Sequence, residues 1–346
     1  RILVCNGSEC DPAEENNDLE DRYVAVIGGG MDRTSESGDW LYMIDIETGK
    51  SLYKQRLLDT DGVNSGGSAP SEPAAVDTDG DGYLDRIYIG TLRGLLYRAD
   101  LRGPNGEVPR LESDIDKVEA LGVPVVIPVQ RITDTDFHPH VIFKAQPDAG
   151  SSPGQGIYYR PSVVFSAGLG HYVLAFGTGD REDLWTADGA PGHFYVVRDD
   201  LAIGDHTTFY TDADLEPIDG EYGDPETRDL LTDPTLMTKG WYLMLRANER
   251  LISDPFVVSG VVIFNVFEPD VNLDLDALTC ARTGTSRVFG VSATNGNPLL
   301  FSGGERTRWF DIADFVTQPF AEQSLTKNRS RTDTGPNADD LSEDQH

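Results

Sequence analysis

Apolar and polar positions alternate along this chain in short runs, and a period of two marks half-buried strands rather than helices. The clearest runs come in pairs. Val24–Gly30 is followed by Trp40–Asp45, Arg86–Thr91 by Leu95–Asp100, Tyr172–Asp180 by His193–Asp199, and Val261–Phe267 by Ser286–Ser292. In each pair a strand rich in β-branched and aromatic residues, which pack well on a pleated surface, runs into a Gly-rich or polar loop. The second strand carries an aromatic residue near its centre and usually a polar or acidic one near its end.

With Tyr42, Tyr97, Tyr195 and Phe289 taken as equivalent, the hairpin recurs at spacings of 55, 98 and 94 residues. Self-similarity on this scale signals a repeat architecture. The first interval suits one propeller blade and the other two are nearer two blades. Val141–Lys144, Ser162–Phe165 and Trp241–Leu245 can supply outer strands within the longer intervals. The expected fold is therefore all-β, a modified β-propeller built from repeated hairpins, because radial repetition leaves few long exposed edges. A β-sandwich with irregular hairpins is the alternative. The propeller is expected over 23–325, after an N-terminal segment 1–22 and before an acidic tail, 326–346, expected to be disordered. Helical signal is sparse: Ser113–Gly122 has helix spacing and a Gly stop, soon closed by Pro124 and Pro128. Thr211–Lys239, acidic and punctuated by Pro, reads as a surface insertion.

Composition narrows the function. The 346 residues fit a single large all-β unit, and 36 Gly with 20 Pro suit many turns. A net charge of −31 repels phosphate backbones, which argues against nucleic acid as a partner, and it attracts divalent cations. No run reaches the roughly twenty apolar residues of a membrane helix, so no direct membrane span is expected. The start at Arg1 reads as that of a processed product or a fragment. Cys5 and Cys10 can close a small loop in an oxidising compartment, leaving Cys280 to pair elsewhere or stay free.

The sharpest chemical signal is Asp77-Thr78-Asp79-Gly80-Asp81-Gly82-Tyr83-Leu84-Asp85. Calcium takes 6 to 8 oxygens, and alternate residues of a tight turn can all point inward at one ion. Asp77, Asp79, Asp81 and Asp85 are the expected carboxylate ligands, Gly82 permits the turn, and Tyr83 offers its backbone carbonyl. Without a cation, four carboxylates this close repel one another, so the empty loop is expected to be disordered. An EF-hand requires Glu at position 12, where this chain has Tyr88 at the start of a strand, so the loop enters a β-hairpin instead. Asp270–Asp276 also alternates oxygens but has Leu275 where the turn Gly belongs, and an edge strand explains it equally well. Asp212–Glu216 is a weaker candidate still.

The passage Pro73–Asp100, which contains this loop, resembles the signature of the PilY family of type IV pilus tip-associated adhesins and assembly factors. Tyr23–Lys50, Arg160–Asp180 and Gly240–Gly296 fit the same family in order. The resemblance implies a modified β-propeller with one calcium loop, held by Asp77, Asp79, Asp81, Asp85 and the Tyr83 carbonyl. It further implies an extracellular place at the pilus tip, with passage through the periplasm or outer membrane during assembly. The implied partners are minor pilins and host or abiotic surfaces, and the implied role is assembly against retraction. The family's earlier blades and variable N-terminal adhesive region have no counterpart here, so adhesive specificity is not carried over.

Two rival functions remain. Asp45–Tyr53 resembles the strand-end repeat of quinone-dependent propeller dehydrogenases, but the adjacent cysteine pair that many of them carry is missing. A generic calcium-stabilised extracellular adhesion propeller would repeat the calcium loop in several blades, whereas one convincing copy is present. His171, His193 and His206 are scattered, no Gly-x-Ser-x-Gly elbow exists, and no helix opens after Gly28-Gly29-Gly30. No catalytic residue is therefore expected, and a non-enzyme is the reading adopted.

Overall fold

The computed structural model describes residues 1–10, 17–32, 37–120, 123–145, 156–182, 184, 191–218, 238–270 and 284–312. Among them the regular elements are strands, apart from two three-residue 3-10 turns at Thr135–Phe137 and Asp212–Asp214.

Four sheets carry the fold. The first orders Val24–Gly28, Trp40–Asp45 and Ser51–Arg56. The second orders Ala74–Val76, Arg86–Gly90, Leu95–Asp100 and His140–Lys144, and Tyr210–Thr211 adds in parallel at its far edge. The third orders Ser162–Ser166, His171–Gly177, Pro191–Asp199 and Gly240–Ala247, with Glu216–Ile218 parallel at the edge. In the fourth, Arg250–Leu251 and Phe256–Val258 both pair with Val261–Pro269, followed by Gly284–Ser292 and Trp309–Ile312.

The four aromatic positions aligned from sequence are equivalent in register. Each sits directly opposite a bulky apolar residue of the preceding strand: Ile27 with Tyr42, Ile89 with Tyr97, Phe176 with Tyr195, and Phe264 with Phe289. The longer spacings do not correspond to two blades, however. Each interval, including those of 98 and 94 residues, advances by one sheet. The extra length lies in insertions after the aromatic strand, and Val141–Lys144 and Trp241–Leu245 are fourth strands of the same sheets.

Strand alternation distributes successive residues between two cores. Ile87 and Ile89 enter a core shared with Leu41 and Met43 of the first sheet, while Tyr88 between them turns toward the third. Tyr195 and Val197 join that second–third core with Phe143 and Leu174, while Phe194 and Val196 join Val262 and Phe264 of the fourth sheet. Phe264 is stacked between Phe194, at 3.6 Å between ring centroids, and Phe289, at 4.5 Å. Three cores thus bind four sheets in sequence order, and Ser162–Ser166, the first strand of the third sheet, adjoins Ala74–Val76 of the second and Phe256–Val258 of the fourth.

The expected helix at Ser113–Gly122 does not form: its described part, Ser113–Ala120, is strand. Leu111–Ala120 and Val123–Ile132 form a ten-residue-per-strand hairpin in continuous register from Leu111↔Ile132 to Ala120↔Val123. The β-branched run Val123, Val125, Val126 and Ile127 supplies a partner strand, and pairing overrides the local helical spacing. The 211–239 stretch begins as part of the second and third sheets rather than as a surface loop; 219–237 lies outside the described residues. So do Asp270–Asp276 beyond its first residue, Cys280 and the 326–346 tail. At the other end, Ile2–Cys5 pairs with Leu19–Arg22, and Ile2 and Val4 are fully buried in the first core. Cys5 and Cys10 form a disulfide with 5.4 Å between their Cα atoms.

Candidate metal centre

The Asp77–Asp85 loop joins Ala74–Val76 to Arg86–Gly90, the first two strands of the second sheet, closing just after the Val76↔Arg86 pair. Two glycines in left-handed backbone, Gly80 at φ 81° and Gly82 at φ 87°, make the turn, a conformation that side chains with Cβ resist. The carboxylates also build the loop. Asp77 accepts the Gly80 N–H at 2.7 Å and the Gly82 N–H at 2.8 Å. Asp79 accepts from the Asp81 N–H, and Asp81 from the Tyr83 N–H. Asp85 is buried and accepts both the N–H and the hydroxyl of Thr78 at 2.7 Å. Partial desolvation works against ionisation of Asp77, but the N–H groups of Gly82, Gly80, Asp79 and Asp81 prevail and hold its carboxyl below the ordinary aspartate value.

One oxygen from each of Asp77, Asp79 and Asp85 lies within 4.8 Å of the other two. Calcium–oxygen distances run about 2.3–2.6 Å, so ligands on opposite sides of one ion stand about 5 Å apart. The three residues therefore fit a calcium ion by span and by chemistry. Asp81 is turned differently: its carboxylate meets Arg102 Nη2 at 2.8 Å, while Arg102 Nε lies 3.3 Å from Asp85. The Tyr83 hydroxyl donates to Asp21 at 2.6 Å, and the Arg1 guanidinium lies 3.9 Å from the centre of its ring. Arg102 supplies positive charge beside Asp81 and Asp85, and backbone N–H groups satisfy the loop carboxylates. Nothing in the sequence marks Arg102 for this place, since it arrives from the far end of the neighbouring strand.

The loop also touches the third sheet. The Tyr172 hydroxyl donates to the Thr78 carbonyl at 3.2 Å. Directly after Asp85, Arg86 enters a buried ionic network at the end of the second–third core. Its guanidinium lies 3.1 Å from Asp100 and 3.5 Å from Asp199. Arg98, wholly buried, donates to Asp199 at 2.5 Å and to Asp100 at 3.0 Å, and the Tyr88 hydroxyl donates to Asp199 at 2.6 Å. The loop thus stands at the junction of two sheets.

Among the described residues the other candidates are not assembled into sites. Asp212 accepts from the Tyr195 hydroxyl, and Asp214 caps Thr211, so both serve local structure. His171 is exposed at a strand start, His193 is buried in the third sheet, and His206 stacks on His140.

A fan of face-packed, mostly antiparallel sheets, with an acidic loop at the junction of two of them, defines a β-propeller-type domain. The chain belongs to the PilY1 beta-propeller domain family, whose model matches residues 16–205. It is 24% identical over 302 residues to a type IV pilus biogenesis factor PilY1 homolog of Xylella fastidiosa, covering 80% of this chain and 18% of that protein. To type IV pilus biogenesis factor PilY1 of Pseudomonas aeruginosa it is 24% identical over 316 residues, covering 81% of this chain and 25% of that one. The crystal structure of the P. aeruginosa PilY1 C-terminal domain superposes with a TM-score of 0.51 at 20% identity, over 83% of this chain and 58% of that one. The chain spans about a fifth to a quarter of the length of the curated relatives it matches. None of its described helical elements is long and apolar enough to cross a membrane.

Proposed function

We propose that this chain is a calcium-binding propeller domain of a type IV pilus tip-associated adhesin and pilus biogenesis factor. It supports pilus assembly against retraction and takes part in surface attachment, outside the cell at the pilus tip. Its immediate partners are minor pilins, and beyond them host or abiotic surfaces. Family membership supports this reading over a quinone-dependent dehydrogenase and over a generic adhesion propeller. The observation that carries it is the convergence of Asp77, Asp79 and Asp85 in a loop that abuts two sheets. Asp81 and the Tyr83 carbonyl complete the proposed ligand set. Bound calcium supplies charge that the loop otherwise draws from Arg102, and it stiffens the junction of the second and third sheets.

The test is thermal and chemical unfolding in calcium and in chelator, with bound metal measured by mass. A ligand that binds only the folded state stabilises by about 2.7 kcal/mol at a hundredfold excess over Kd. Asp79→Asn is expected to abolish most of that gain and to melt like the wild type in chelator, since Asp79 is exposed and bonds only within the loop. Asp85→Ala is expected to weaken the protein in chelator as well, because it strands the buried contact to Thr78. Identical wild-type melts in calcium and chelator, with no ion retained, would overturn the calcium assignment. In cells, crosslinking that captures pilin–pilin contacts but never this domain would count against the pilin partners.

A further inference from the structure

A cleft of about 510 Å³ opens where the first strands of the second, third and fourth sheets begin. Three short segments ending in proline enter those strands and line it: Ser71-Glu72-Pro73, Tyr159-Arg160-Pro161 and Ser253-Asp254-Pro255. Because adjacent sheets converge here, the cleft lies at the axis of the fan, where a propeller presents side chains from several blades to one small volume. It is separate from the Asp77–Asp85 loop, which lies at the other end of the strand Ala74–Val76.

The charges in the cleft are not equivalent. Arg160 is held between two acids: its Nη1 is 3.4 Å from Glu72, its Nε is 3.9 Å from Asp254, and its backbone N–H donates to Asp254 at 2.9 Å. Arg181 has no carboxylate within ion-pair distance among the described residues. Its guanidinium lies 5.5 Å from the centre of the Tyr159 ring, which orients the cation without neutralising it. Ser253 is 2% exposed, and its hydroxyl has no hydrogen-bond partner. A buried, unsatisfied hydroxyl costs free energy, and a ligand oxygen can relieve that cost. Burial pushes the Tyr159 hydroxyl up to about 12, so it remains a protonated donor at any physiological pH. Arg181 also feels Asp254 at longer range, but with no ion pair among the described residues and two further donors beside it, it is a local attractor for negative charge on a chain of net charge −31.

We propose that this axial cleft binds a small organic acid, its carboxylate held by Arg181 and Ser253 and its body seated against Tyr159 and the apolar walls. The carboxylate is the favoured anion because a planar guanidinium fork matches it in two hydrogen bonds. A divalent cation bridging Glu72 and Asp254 is disfavoured, because Arg160 already stands between them.

The experiment is calorimetric titration of the calcium-saturated protein with glucuronate and with benzoate, each beside a neutral counterpart, glucose and benzamide. Saturating calcium keeps the outcome independent of the metal-loop assignment. At least one acid is expected to bind with a Kd on the order of 1 mM or tighter, and its neutral counterpart is expected to bind at least about tenfold more weakly. Arg181→Gln, on an exposed residue, is expected to weaken the acid about tenfold or more while leaving the melting temperature unchanged, and Ser253→Ala to weaken it less. Equal binding of acid and neutral counterpart, undiminished binding by Arg181→Gln, or no binding of either acid at concentrations on the order of 10 mM overturns the proposal.

Discussion

Asp199→Ala is expected to destabilise this protein by about 3–5 kcal/mol, because it leaves buried guanidinium charge without its counter-ion. Asp199 is the acceptor that the second sheet sends three donors to reach: Arg98, Arg86 and the Tyr88 hydroxyl. The side chains of Arg98 and Asp199 are both fully shielded from solvent. Asp100 remains as a partner for both arginines, but burial already pushes its carboxyl up against the pull of Arg98 and Arg86, so it substitutes poorly. An exposed pair gives the contrast: Glu20→Ala, which breaks the contact with Arg22, should cost less than about 1 kcal/mol. Replacing Arg98 by Met together with Asp199 by Leu should recover much of the loss, since a paired charge exchanged for matched apolar volume is often neutral. Denaturant unfolding in fixed calcium measures all three. A loss below about 1 kcal/mol for Asp199→Ala would mean that water reaches the network and that it does not bind the sheets.

Acidification from pH 7.5 to pH 5.0 is the second large effect. His140 lies within the second sheet, its ring stacked on His206 at 4.5 Å between centroids, and neither of its nitrogens has a hydrogen-bond partner. Its pKa is lowered to about 3, by burial above all and then by Arg98 and His206, against smaller raising effects from the His138 backbone and Asp205. His193, buried in the third sheet, is lowered to about 4 by burial alone. Both imidazoles are neutral in the folded protein, whereas the unfolded chain protonates them near pH 6.5. Their contribution is therefore complete above pH 6.5, declines as pH falls below it, and is exhausted only below the folded values. By pH 5.0 the linkage amounts to about 2 kcal/mol for each residue. His140→Phe keeps the stacked ring but cannot be protonated, so its stability should fall by about 2 kcal/mol less than that of the wild type over this interval. Equal pH dependence in the two proteins would show that His140 takes up its proton while folded.

What the sequence made legible, and what it hid, follows from the range of the interactions. Strand positions were readable because alternation is local, and the opposition of Ile89 to Tyr97 or Phe264 to Phe289 follows once hairpins are recognised. The number of sheets was not readable, since insertions such as the Leu111–Ile132 hairpin stretch one repeat to nearly twice another. The same hairpin was mistaken for a helix because its partner strand, not its own spacing, decides its conformation. In the acidic loop the turn and three converging carboxylates were legible, being set by residues within nine positions of one another. Arg102 was not, and neither was the Arg98–Asp199 contact across 101 residues, because no local pattern announces a charge that tertiary packing delivers. Ser253 and Arg181 were invisible for the same reason.

The succession of cores has a mechanical consequence. Each described sheet leans only on its immediate neighbours, so cohesion is a chain of nearest-neighbour couplings rather than one shared interior. Among the described residues the second and third sheets each share two such couplings. In the first sheet Ile27, opposite Tyr42, is 49% exposed, whereas the corresponding Ile89, Phe176 and Phe264 are fully buried. A pulling force on such an array therefore loads one coupling at a time. The acidic loop and the Arg98–Asp199 network add hydrogen bonds and ion pairs to the apolar coupling of the second and third sheets, so that junction resists separation beyond what its apolar contact supplies.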